Sequence, residues 1–279
     1  MNVTLIQIVI PISLMVVFGV PHGALDGAVI FQRCSAFWPR ILCLLAYLFV
    51  SVVCVLLWIV LPTVCLAVFL GMSMWHFGQS DQSRSGYTVR HIWRVVSDGG
   101  IWVLLLPFSH QSAVRELFVV LDADANTIMQ IINWLIIPWS LLALANVAVR
   151  ILNGDGKTVI STLSFAALSI LMPPLWSLCL YFCAWHSRRH ITRVLSDLPN
   201  PRLGWTMMIL LTLITVLLAL LAVLWLPATT LWTAALVQVF FIGLFALTVP
   251  HMLLIDLYLP WLDSAAQGDS VDDRSYPAR

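Results

Sequence analysis

The stretch WTMMILLTLITVLLALLAVLWL, Trp205 to Leu226, holds no charged residue. As a helix rising about 1.5 Å per residue it reaches roughly 33 Å, enough to cross a hydrocarbon core of about 30 Å. Three more runs read the same way: Ile41 to Leu61, Ile128 to Val149 and Leu231 to Ile255. A soluble domain of 279 residues cannot hide the apolar surface of a chain that is 61% hydrophobic and 10% charged, with mean hydropathy +0.97. The backbone polar groups of such runs have no water to bond in lipid, so helices are the economical solution.

Working outward from these runs gives nine apolar segments: 3–20, 41–61, 63–78, 95–108, 128–149, 158–172, 174–186, 205–226 and 231–254. The predicted fold is therefore all-α, a polytopic transmembrane helical bundle of about nine (7–9) membrane helices filling residues 1–262. Pro62 divides the second segment from the third and Pro173-Pro174 the sixth from the seventh, since proline lacks the amide hydrogen that a continuing helix needs. Residues 263–279, with Asp269, Asp272 and Asp273, read as a disordered polar tail. Met1 to Thr4 carry no basic residue and no A-x-A-like site follows, so the first segment is expected to stay as a helix.

Charge orients the bundle. With nine crossings and the N-terminus outside, one side receives Arg33, Arg40, Arg84, Arg90, Arg94, Arg150, Lys157, Arg188, Arg189, Arg193 and Arg202, eleven of the 14 basic residues. The opposite loops hold Arg115 alone, and Arg274 and Arg279 fall in the tail. The positive-inside rule then places the arginine-rich loops and the C-terminus in the cytoplasm; the expected location is the cytoplasmic (inner) membrane. A net charge of +1 offers no field for nucleic acid. The six cysteines sit mostly in apolar runs, where they act as small hydrophobes rather than a disulfide framework.

Five of seven histidines fall at corresponding places: His22, His76, His186, His190 and His251, each near the cytoplasmic end of an odd-numbered helix. Those helices run in one direction, so the rings meet at one depth. His186 and His190 are four apart and project from one helix face about 5–6 Å apart, suited to chelating one ion. Imidazole suits Zn, Cu, Fe and Ni alike, and spacing does not choose among them. A mixed site using Cys179 and Cys183 is disfavoured because Cys179 lies too far along the helix from His190. Asp26, Asp81 and Asp256 follow His22, His76 and His251 by four or five residues and read as carboxylates orienting the rings, or as solvated helix ends. His91 and His110 read as solvated surface residues, and Asp98 as a carboxylate in want of a partner. Gly19, Gly23 and Gly27 read as a stripe for close helix approach.

The motifs around these histidines resemble the Brp/Blh family of bacterial and archaeal membrane β-carotene 15,15′-dioxygenases. The matching residues are Gly19-Val20-Pro21-His22-Gly23-Ala24-Leu25-Asp26, Trp75-His76-Phe77-Gly78 with Asp81, Trp185-His186-Ser187-Arg188-Arg189-His190, and Pro250-His251-Met252-Leu253 with Asp256. The resemblance implies an Fe(2+) enzyme that cleaves the central double bond of β-carotene with O2 to two all-trans-retinal, and a functional link to a microbial rhodopsin. It maps the metal ligands onto His22, His76, His186 and His190, with His251 a further ligand or an orienting residue. The alternatives are another membrane histidine-metal oxygenase or hydroxylase acting on lipid, and a transporter whose histidines relay protons. A metal site near the cytoplasmic edge of the core further predicts an apolar tunnel that lays the polyene toward the membrane plane.

Overall fold

Each apolar segment folds as a helix, in a computed structural model that describes residues 5–34, 36–79, 88–227 and 230–258. We number the helices α1 Ile6–Arg33, α2 Phe37–Val60, α3 Pro62–Gln79, α4 His91–Ser109, α5 Gln111–Val120, α6 Ala125–Leu152, α7 Gly156–Leu171, α8 over 174–197, α9 Pro201–Trp225 and α10 Trp232–Asp256. Six of them, α1, α2, α4, α6, α9 and α10, are long and apolar enough to cross a membrane, and the described residues form no strand. The shorter α3 and α7 and the arginine-bearing α8 occupy the other three segments. The proposed tail, 263–279, and Asp81 lie outside the described residues.

Both proline divisions are turns. Leu61 leaves helical geometry and Pro62 opens α3, while α7 ends at Leu171 and Pro174 stands in the first turn of α8. Pro21 behaves differently. The first helix continues through it to Arg33, because residues Met15–Gly19 widen into a π turn in which Val20 N–H donates to Met15 O at 2.9 Å. His22 therefore sits eleven residues before the helix end rather than beside it, and His186 stands as far before the end of α8. The continuation of α8 is polar, carrying Arg188, Arg189, Arg193 and Asp197, which suits a helix leaving the core.

Three contacts mark the far end of the bundle. Thr63 Oγ1 accepts from Asp124 N–H at 2.8 Å, Trp58 Nε1 donates to Leu121 O at 3.2 Å, and Gln238 Nε2 donates to Val120 O at 2.8 Å. Trp176 Nε1 donates to Ile6 O at 2.9 Å, pairing the starts of α8 and α1. The four helices that carry His22, His76, His186, His190 and His251, namely α1, α3, α8 and α10, consequently run the same way. Small α5, which no apolar run announced, buries Val114 and Phe118 beside this end.

Three readings of surface residues are corrected. His91 is 8% exposed, because Thr88 caps α4 by accepting from His91 N–H and so starts the helix before the apolar run begins. His110 is half-buried and its ring bonds Ser169 O at 3.1 Å. Arg150, counted among loop cations, is 4% exposed and bonds Asp98 through both terminal nitrogens at 2.9 and 2.7 Å, with Thr162 Oγ1 a further acceptor at 2.9 Å. The partner of Asp98 is thus a buried, bidentate arginine tying α4, α6 and α7 together.

Removing one member of that pair strands a buried charge. Arg150→Met should destabilise the detergent-solubilised protein by about 3–5 kcal/mol, and Asp98→Leu added to it should recover most of the loss. Thermal or chaotrope unfolding of the two variants checks this.

Candidate metal centre

Helices α1 and α8 lie parallel at a nearly fixed offset, which decides where their histidines meet. Trp176 bonds Ile6 O, Cys183 Sγ bonds Leu14 O at 3.5 Å and Ser187 Oγ bonds Phe18 O at 2.8 Å, all at sequence separations of 169 or 170. The π turn Met15–Gly19 of α1 packs beside the π segment Tyr181–Ser187 of α8. Gly19 is required there, since a Cβ would stand 2.3 Å from Phe182 Cε1. Its carbonyl accepts from His22 Nδ1 at 2.5 Å and from Ser187 Oγ at 3.2 Å. That bond fixes the His22 tautomer and leaves Nε2 as its donor atom.

His76 is seated by an unusually close pairing of α3 with α4. A Cβ on Gly78 would lie 2.0 Å from Val95 O, and one on Gly99 would lie 1.8 Å from Met74 O, so only glycine admits the approach. His76 Nε2 then comes to 3.1 Å from His186 Nε2. Two adjacent donors on one ion, each at about 2.1 Å, stand about 3 Å apart. Aromatic rings back the pair: Phe182 stacks on His186 at 5.8 Å, and Trp102 stacks on Tyr181 at 4.1 Å beneath it.

His251 comes from α10, where Pro250 lies inside the helix. Its Nδ1 bonds both oxygens of Asp26, at 2.9 and 2.8 Å, and Tyr47 Oη donates to Asp26 Oδ2 at 2.9 Å. Asp26 thus serves His251, 225 residues away, and not His22 on its own helix.

The structure brings all five histidines together. Ring centroids lie 5.2 Å apart for His22 and His186, 5.5 Å for His22 and His190, 5.1 Å for His76 and His251, and 5.1 Å for His190 and His251. Donor atoms of His22, His76 and His251 lie within 4.8 Å of one another. His186 Nδ1, His190 Nε2 and His251 Nε2 are buried without a hydrogen-bond partner. A stranded buried polar atom costs about 1–3 kcal/mol, and a metal ion is the group that five converging imidazoles would satisfy. Asp256 lies in the terminal π segment Leu253–Tyr258, five residues past His251.

Beside the histidines opens a cavity of about 40 Å³, walled by Gly23, Phe69, Ser73, Leu244 and Thr248 together with His22, His76 and His251. It has room for a diatomic molecule or a few waters. Gly23 has open space where its Cβ would be, so the glycine stripe is divided: Gly19 and Gly27 admit Phe182 and Leu211, while Gly23 faces the cavity. Sequence reading missed Tyr47 and Ser187. Each left a faint signal, Tyr47 as one of two hydroxyls, with Ser51, in the run Ile41 to Leu61 and Ser187 by standing next to His186.

The family model described as beta-carotene 15,15'-dioxygenase matches residues 13–259. A curated beta-carotene 15,15'-dioxygenase from an uncultured marine bacterium, 66A03, is 31% identical over 254 residues, covering 88% of this chain and 91% of that protein. No solved structure matches.

The α3–α4 approach predicts a sharp contrast between glycines. Gly78→Ala must push its Cβ off Val95 O and should cost about 1–3 kcal/mol, whereas Gly23→Ala, inside a helix with open space at its Cβ, should leave the unfolding midpoint unchanged or raise it. Thermal unfolding of both variants in detergent tests it.

Proposed function

The chain belongs to the β-carotene 15,15′-dioxygenase family, and from that premise we propose that it cleaves the central double bond of β-carotene with O2 to give two all-trans-retinal. The observation that carries the proposal is the convergence of buried imidazoles, three with unpartnered nitrogens, at the wall of an apolar cavity. His22, His76, His186 and His190 would hold ferrous iron. Bound there, ferrous iron would activate O2 for reaction with an alkene, the electrons that reduce O2 coming from the double bond that is cleaved. A donor set of neutral rings fits such an ion and leaves room in the cavity beside it.

The protein's own part is to orient and to exclude. Gly19 O and Ser187 hold His22, and the glycine contacts hold His76, so that the rings do not reorganise when the site is used. Apart from the three histidines, Ser73 and Thr248 carry the polar side chains of the cavity wall, and the Thr248 hydroxyl already donates to Leu244 O at 2.7 Å. A polyene offers no polar handle, so the bond to be cut is chosen by where the walls let the chain lie. The cavity admits O2 as it stands, and the C40 substrate enters by parting helices toward lipid.

Depth supports a tilted substrate. Thr63 and Gln238, at the far end with exposed Asp122 and Asp124, lie thirteen residues before His76 and His251, roughly 20 Å along a helix. The site is thus past the middle of a core of about 30 Å, and an upright carotene would present the wrong bond. We infer further that the enzyme sits in the cytoplasmic (inner) membrane, N-terminus outside and C-terminus cytoplasmic, and that its retinal serves a microbial rhodopsin. The basic residues clustered at the histidine end support that orientation.

His22→Ala, His76→Ala, His186→Ala and His190→Ala should each abolish retinal formation by the purified protein and lower its iron content. His110→Ala, at the opposite end, should keep the iron. Metal analysis alongside product chromatography decides, and full activity in any of the four variants removes that residue from the site. For orientation, reporter fusions after Arg40 and Arg202 should read cytoplasmic and one at Ser112 the opposite side; matching readouts at Arg40 and Ser112 would overturn it.

A further inference from the structure

We propose that Tyr47 is a positioning residue which, through Asp26, makes His251 a fifth imidazole donor to the metal. The inference rests on the metal reading above and concerns a residue that touches none of the reacting atoms. Asp26 is 2% exposed and His251 3%, in a part of the protein remote from bulk water. A carboxylate so placed is stable only where donors meet it. Its hydrogen bonds among the described residues are the His251 Nδ1 pair at 2.9 and 2.8 Å and the Tyr47 hydroxyl at 2.9 Å.

The consequence for His251 is a fixed tautomer. With Nδ1–H given to Asp26, the lone pair is on Nε2, and Nε2 is buried without any partner. That atom belongs to the cluster in which His22, His76 and His251 donors lie within 4.8 Å of one another. A carboxylate behind a ring also raises its strength as a ligand. His251 is thus prepared to bind, not merely near the site.

Tyr47 makes the preparation rigid. Its hydroxyl also lies 3.3 Å from Leu247 O, one turn before His251, so α2 contacts both the carboxylate on α1 and the backbone that carries the ring. Without the hydroxyl, Asp26 is left with one donor and is free to rotate about its side chain. The Nδ1 bond to both oxygens then loosens, and Nε2 no longer has a single direction. Charge adds a reason for the arrangement. Five imidazoles leave a divalent ion's charge uncompensated in the bilayer, and Asp26 supplies a negative charge one ring away.

Co2+ is the probe, because its visible bands report the number and geometry of ligands. The full-length protein, stripped of metal in detergent, should bind one Co2+ per chain. Tyr47→Phe and Asp26→Asn should weaken binding about 10–100-fold and move the visible bands toward those of His251→Ala. Tyr47→Phe added to His251→Ala should weaken binding no further. The Phe variant keeps the ring and its packing, so it decides the matter even where Asp26→Asn fails to fold. Wild-type affinity and bands in Tyr47→Phe, with or without a lower unfolding temperature, would overturn the proposal and leave Tyr47 a packing residue. Absence of Co2+ binding by the unmodified chain would instead overturn the metal reading itself.

Discussion

Within a bilayer a polar group that lacks a partner in the chain has none at all, and the molecule is organised by that scarcity. Asp98 and Arg150 satisfy each other and draw three helices together in doing so. The hydroxyl of Ser187 reaches across to carbonyls that the π turn of α1 exposes. Gly19 O, shared between Ser187 and His22, turns the same shortage into a device for aiming a ring. Among the nitrogens left over after this accounting are His190 Nε2 and His251 Nε2, which the proposed ion would complete.

Close backbone approach is the second means by which the site is held. Side-chain packing alone lets helices slide, but the Gly78 and Gly99 contacts bring α3 and α4 carbonyls to distances that tolerate no Cβ. His76 projects from between those contacts and Trp102, Tyr181 and Phe77 fill the space below. The π segments serve a matching purpose on α1 and α8, rotating the following residues so that His22 and His190 face one another across parallel helices.

Helix locations were legible because uncharged runs such as Trp205–Leu226 and Ile128–Val149 admit one reading in lipid. The histidine layer was legible for a related reason, since direction alternates along the nine apolar segments and the odd-numbered segments end on the same side. Pairings between distant segments were not. Asp26 looked like the companion of His22 from their spacing, yet on a helix continuing through Pro21 it turns toward α10 and finds His251. Arg150 looked like a loop cation because it follows an apolar run, and nothing local announced that Asp98 would claim it. His91 was misplaced because Thr88 starts the helix before hydrophobicity does. Sequence periodicity reports how a residue sits on its own helix; which neighbour it meets depends on packing that no single segment encodes.

The bond between Asp26 and His251 spans 225 positions and joins the first to the last of the described helices. Ribosomes deliver these helices to the membrane in order, so α1 enters with Asp26 exposed and waits for nearly the whole of translation before its partner emerges. Until Pro250 has left the exit tunnel the nascent chain holds at most four of the five rings, and the carboxylate behind the fifth has no ring to orient. If His251 is the fifth donor proposed above, a complete set of rings exists only in a chain that has been translated through α10.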